Sequence, residues 1–404
     1  MEPESPLTTL PGARGVIEPL RLLLARDADA PPAIERWDAA AWEAVHRAVS
    51  AWDAAALAAS AARATGIAKH VPPAIFEAWR RDHTATTAMN MRLAFEADAL
   101  VAALAARGIG ACSLKGTALF RLGVYRDPGS RPTSDVDLII AEDAGPAATR
   151  LLVDRGFSQA SAGGPKHLPP FLRDGLLVEL HEHAFWSLTD GRRARLADMR
   201  DPSGEPAIGP LVAHLLHHAF ESSVTMPFLV AKTLVDLAEA RAYAARKSAA
   251  IVDEIATCAH TYGLGRRLSA LAGLLELVTG RRAPAGWTRD ARPGDVEALV
   301  ERAAPRSHAL SMALRLPDRL RAFARMPRRE VAAQLRYYLV PPVETMRMHY
   351  GLAPGSPWVW PLYPLRPLQL FARSTLDAAR LLAARGRSGG GSGTSEVDPR
   401  RKKA

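Results

Sequence analysis

The sequence predicts an α+β fold, with a small β-sheet core set inside a mostly helical chain. Three observations predict it. Alanine-rich stretches before Gly108 and after Leu211 carry apolar residues at helical spacing. Between them lie short, apolar, partly β-branched segments that end in turn-forming residues. One of these, from Leu176 to His183, alternates strictly, with Val178 and Leu180 on one face and Glu179 and His181 on the other.

Composition excludes several classes. The 404 residues are 48% hydrophobic and 23% charged, so the chain can bury a core and is not a disordered polymer. No uncharged apolar run is long enough to span a bilayer, and the acidic, proline-bearing start Met1-Glu2-Pro3-Glu4 lacks the basic region of a secretory signal. Two cysteines, Cys112 and Cys258, cannot build a disulfide framework or a four-thiolate zinc site. A cytoplasmic location is expected. The net charge of +10 suits anionic partners such as nucleotides, nucleic acid or acidic lipid, without choosing among them.

The elements follow in order. Residues 1–33 are rich in Pro, Ala and Arg and are expected to form a weakly structured arm. Residues 34–89 read as a helical region, with Asp53 as a polar break in the helical pattern from Trp37 to Thr65. The pattern from Ala74 to Arg107 predicts one or two long helices stopped by Gly108. Residues 90–200 hold the α/β core. In it, Ile109 to Leu114 predicts a strand, Thr117 to Val124 a short helix and Ser134 to Ile140 a second strand. Gly145 to Arg155 predicts a helix, and Leu176 to His183 a third strand. Residues 201–385 read as a helical domain, with Gly351 to Pro367 irregular. Residues 386–404 read as a disordered, basic Gly-Ser tail.

Chemistry concentrates at Asp135-Val136-Asp137. On a strand, residues two apart project from one face, and two carboxylates there repel unless a cation lies between them. Hard oxygen ligands suit Mg²⁺ or Mn²⁺. The triplet alone is weak evidence, since Asp27-Ala28-Asp29 shares the spacing. Context strengthens it. Lys115, Gly116 and Thr117 stand at a strand-to-helix turn, where backbone N–H groups and the lysine favour phosphate. Arg131 lies on the loop before the acidic strand, which Ser134 opens; Arg131 is read either as a phosphate clamp or as a solvated side chain. If the Glu179 strand neighbours the acidic one, three carboxylates gather, the arrangement that holds two metal ions for phosphoryl transfer.

Leu114-Lys115-Gly116, Tyr125, the run from Arg131 to Ile140 and Val178-Glu179-Leu180-His181 together resemble a bacterial nucleotidyltransferase family of the polymerase-β-like superfamily. The resemblance covers about residues 90–200 and extends loosely through His214, His217, Asp236 and the Met346–Gly351 segment. It implies a small mixed-sheet nucleotidyltransferase core. It implies that Asp135, Asp137 and Glu179 bind the metal and carry catalysis, with an NTP as co-substrate; ATP is taken as the donor on general grounds. Lys115, Gly116, Thr117, Arg131, Ser134 and His181 would then attend the nucleotide. Lys115 and Gly116 stand where the superfamily usually has a Gly-Ser pair. The implied acceptors are small molecules, peptides, proteins or RNA ends, and no nucleic-acid-reading motif is present.

Two other functions remain open on the sequence. A nucleotide-binding or regulatory protein with lost catalysis would explain the missing Gly-Ser pair. A zinc hydrolase would use His181, His183, His214, His217 and His218, but there is no HExxH. The aromatic segment Trp358-Val359-Trp360-Pro361-Leu362-Tyr363 is expected to pack over a core rather than to bind a membrane surface or a partner.

Overall fold

The computed structural model describes residues 14–26, 34, 37–159, 168–185, 187, 188, 190–222 and 228–303, and then 339, 340, 343, 346, 356–367 and 369. The Asp27–Asp29 triplet, the tail from 386 onward and most of the Met346–Gly351 segment lie outside them.

The arm expected over 1–33 is corrected in part, because Arg14–Leu23 forms helix α1. Its Val16, Leu20, Leu22 and Leu23 are buried in the main core, so hydrophobic burial holds a segment whose composition reads as irregular. Helices α2 (Ala39–Ala51) and α3 (Ala55–Thr65) follow. Asp38 caps α2 by accepting from the Ala41 N–H, and Asp53 breaks the pair with a left-handed φ of 53°. The small face of α3, including Ala58, Ala59 and Ala62, lets it lie close against α4 (Pro73–Ala105). Pro73 opens that 33-residue helix, and Gly108 turns the chain beyond it at φ 71°.

Helix α4 ties the two cores together. Ile75 and Trp79 join the large helical core, while Leu93, Ala97, Leu100 and Leu104 join a second core against the sheet. The sheet elements are β1 (Ala111–Ser113), β2 (Val136–Ile140), β3 (Ser158–Gln159), β4 (Phe171–Arg173) and β5 (Leu176–His181), with α5 (Lys115–Arg121) and α6 (Gly145–Asp154) between them. The strand order is β1-β2-β5-β4-β3. Only β2 and β5 pair in parallel; the other neighbours are antiparallel, so the sheet is mixed.

The sequence reading missed β3 and β4. They are two and three residues long, too short to show a period. A signal was nevertheless present. Asp174-Gly175, with φ values of 49° and 75°, is the hairpin turn that joins β4 to β5.

Helices α7 (Ile208–Ser222), α8 (Phe228–Lys247), α9 (Ala250–Thr261), α10 (Gly265–Thr279), α11 (Ala285–Thr288) and α12 (Asp295–Ala303) complete the described fold. Helix α7 packs on α5, α8 and α9, which brings the helical region against the edge of the site. No described helix is long and apolar enough to cross a membrane. Trp358 and Trp360 correct the packing expectation: they are exposed at 72% and 61%, while only Val359 between them is buried.

Candidate active site

The parallel pairing of β2 with β5 sets Asp137 directly beside Glu179 and Ile139 beside His181. Glu179 and His181 share a face of β5, two residues apart. The result is a compact cluster. Among the described residues, Asp137, Glu179 and His181 offer donor atoms that all lie within 4.8 Å of one another.

Asp137 is its centre and is buried. Its Oδ1 receives Lys115 Nζ at 2.6 Å and His181 Nε2 at 2.9 Å. His181 Nε2 also lies 3.8 Å from Glu179 Oε2. Burial opposes the charge on Asp137, but Lys115 and His181 outweigh it and hold the carboxyl well below the usual range. Burial also opposes the Lys115 ammonium, and Asp137 and Asp135 overcome it, so Lys115 stays charged. Burial lowers His181 despite its bond to Asp137.

Asp135 stands just ahead of β2, half-exposed, with the Ser134 hydroxyl 3.4 Å from its Oδ1. Burial, with Asp137 and Glu179 close by, pushes Asp135 up to about 6 against the pull of Lys115. Of the three carboxylates expected together, Asp137 and Glu179 lie in the tight group, and His181 rather than Asp135 is its third member. The donor set fits a hard divalent cation. It offers two buried or half-buried carboxylates and an imidazole, with a third acid close by that burial first, and the neighbouring carboxylates second, push toward its neutral form.

Lys115 reaches Asp137 from an unusual backbone. It heads α5 with φ 48°, a left-handed conformation that favours glycine. Gly116 follows in close contact with the loop before β2. A Cβ there would meet Thr133 Oγ1 and would lie 2.6 Å from Arg131 Nη1. Thr117 is buried, and its hydroxyl donates to the Leu114 carbonyl.

Arg131 is neither of the two things the sequence left open. Its guanidinium is buried and forked onto Asp236 of α8, with Nε to Oδ1 at 2.6 Å and Nη2 to Oδ2 at 2.9 Å. Tyr125 donates its hydroxyl to the same carboxylate at 2.6 Å. Arg131 thus fastens the loop that carries Asp135 to helix α8. The histidines of α7 also depart from a zinc site. His214 and His217 are buried against Phe185, with ring centroids 6.0 Å and 5.4 Å away, and they belong to no described group of three ligand-capable side chains.

Sequence reasoning missed Lys232 on α8. It lines a crevice beside Arg131 and makes no hydrogen bond or ion pair among the described residues. A lone lysine in an apolar helix gives no signal until the helix is placed.

No curated protein and no solved structure matches the chain. A family model described as an uncharacterised nucleotidyltransferase matches residues 38–280, more than half of the chain and every element from α2 to α10, and the chain belongs to that nucleotidyltransferase family.

Proposed function

We propose that this protein is a metal-dependent nucleotidyltransferase that moves an NMP, by default AMP from ATP, to an acceptor and releases pyrophosphate. The observation that carries the reading is the Asp137–Glu179 pairing across β2 and β5, with Asp135 and His181 beside it. Asp135, Asp137 and Glu179 would hold one or two Mg²⁺ or Mn²⁺ ions. Bound there, the metal supplies charge neutralisation at the phosphates and acidifies the acceptor.

The chain's own side chains do the rest. The His181 imidazole fixes the Asp137 carboxylate through its 2.9 Å bond. Lys115, with Gly116 and Thr117 behind it, adds positive charge beside the carboxylates, and Ser134 stands at the exposed lip. Glu179 is the most open member of the tight group, with 19% of its side chain exposed, and would take the acceptor's proton. The acceptor oxygen or nitrogen bonds to the α-phosphorus, the bond to the β-phosphate oxygen breaks, and pyrophosphate leaves. Positioning and electrostatics supply most of the rate. A cytoplasmic setting, rich in nucleotide and Mg²⁺, suits this chemistry.

A second reading has one observation in its favour. Lys115 occupies the Asp137 carboxylate and replaces the Gly-Ser pair of the resemblance, which suits a nucleotide-binding or regulatory protein without turnover. Incubation with α-labelled ATP, Mg²⁺ and pooled acceptors separates the two. Pyrophosphate release that is lost in Asp137→Asn supports transfer. Nucleotide binding without release across every acceptor class supports the second reading.

A further inference from the structure

Positive charge near the acidic cluster is almost entirely committed. Lys115 is taken up by Asp137, and Arg131 by Asp236. Lys232 is the exception among these three. It sits one turn before Asp236 on α8 and lines a crevice between the N-terminal helices and the loop that leads into β2. Trp52, Leu57, Tyr125 and Val235 make the walls apolar. The ammonium has no hydrogen-bond acceptor and no ion-pair partner among the described residues, although it lies close enough to Asp135 for each to feel the other's charge. Asp53 lines the same crevice without pairing with Lys232. Burial, with Arg131 close by, lowers Lys232 to about 8.

Asp236, Asp53 and Asp135 offset the Lys232 charge from a distance, but none hydrogen-bonds or ion-pairs with the ammonium among the described residues, and an oxyanion entering the crevice would supply that direct contact. The inner space is about 20 Å³, room for about one water-sized group such as a single oxygen of a ligand, and far too little for a nucleoside. The mouth opens toward solvent, so the remainder of a ligand can lie outside.

We propose that this crevice is an oxyanion subsite in which Lys232 receives a carboxylate or phosphate group of a substrate held beside the acidic cluster. The inference rests on the nucleotidyltransferase reading for the word substrate, and on the crevice and its unpaired ammonium for the anion. The group has two sources, the nucleotide's own phosphate tail or an acid on the acceptor.

The test follows the Lys232 ammonium directly. Reductive methylation of the full chain with isotope-labelled formaldehyde keeps each lysine charged and gives it an NMR signal. The Lys232 signal is assigned by its loss in Lys232→Arg. Inorganic phosphate, butyrate, pyrophosphate and ATP with Mg²⁺ are titrated in turn, with ATP binding followed separately by calorimetry. The expected result is a saturable shift of the Lys232 signal with phosphate or butyrate. Measured by calorimetry, the affinity for that probe falls about tenfold or more in Lys232→Met, and Lys232→Arg recovers part of it. Circular dichroism and thermal unfolding establish that both variants are folded.

Displacement of the probe by ATP assigns the subsite to the phosphate tail. Simultaneous binding of probe and ATP assigns it to the acceptor. The proposal is overturned if no probe moves the Lys232 signal, or if folded Lys232→Met binds the probe as tightly as wild type. Wild type that binds phosphate or butyrate at Lys232 but never binds a nucleotide would sink the nucleotidyltransferase reading and leave the anion subsite established.

Discussion

Lys115 Nζ stands 2.6 Å from Asp137 Oδ1, and the lysine reaches that position from a left-handed backbone with φ 48°. The conformation belongs to glycine, while the side chain supplies a charge that glycine lacks. Strained backbone retained beside a cluster of acids is expected where a site demands it.

Backbone and charge at this position can be separated by substitution. Lys115→Gly removes the ammonium and relaxes the backbone, whereas Lys115→Ala removes the ammonium and keeps the strain. Lys115→Gly should be more stable than Lys115→Ala by about 1 kcal/mol in urea unfolding. Both should lose transfer activity alike. Equal stability of the two would show that the left-handed backbone carries no strain.

Gly116 is required for a different reason, close approach. A Cβ would lie 2.6 Å from Arg131 Nη1 and 2.8 Å from Thr133 Cγ2. Gly116→Ala should therefore push α5 off the loop before β2 and destabilise the fold by about 1–3 kcal/mol, read by thermal or urea unfolding.

The Arg131–Asp236 pair holds that same loop to α8 across 105 residues of sequence. Asp236→Ala leaves a buried guanidinium and the Tyr125 hydroxyl without their acceptor. The expected loss is about 3–5 kcal/mol by chemical denaturation. Asp236→Asn, which keeps acceptor geometry for one of them, should lose less.

His214 on α7 gives a pH signature. It is buried, its Nδ1 has no hydrogen-bond partner, and burial together with Lys115 and the neighbouring histidines His218 and His181 holds it well below its usual 6.5. The unfolded chain binds a proton below about pH 6.5 that the folded chain refuses, so stability is full above that pH and falls as the solution is acidified. Urea midpoints measured at about pH 7.5 and about pH 5.5 should drop for wild type. The drop should be smaller in His214→Gln. An unchanged drop would mean that His214 titrates normally in the fold.

Much of the site could be read from residues alone because strands advertise themselves by a period of two. Asp135 and Asp137, then Glu179 and His181, were each placed on one face by that rule. What the sequence could not supply was adjacency. The pairing of Asp137 with Glu179 is a fact about which strands neighbour, and the intervening β3 and β4 are too short to announce themselves except through Asp174-Gly175. Arg131 was open between solvent and phosphate because its partner, Asp236, lies on another element. Lys232 was invisible for the same reason. Helix α1 is hidden in the sequence because proline and arginine in its neighbourhood mask an apolar face that only tertiary packing rewards.

On the proposed function, the acidic cluster holds a metal-bound nucleoside triphosphate. Calorimetric titration with ATP, with and without Mg²⁺, on wild type and on an Asp135→Asn/Asp137→Asn double variant tests it most directly. Wild type should bind in a manner that requires Mg²⁺, and the folded double variant should not bind. Absence of binding by wild type to ATP and to the other NTPs, or binding that survives the double substitution, would contradict it.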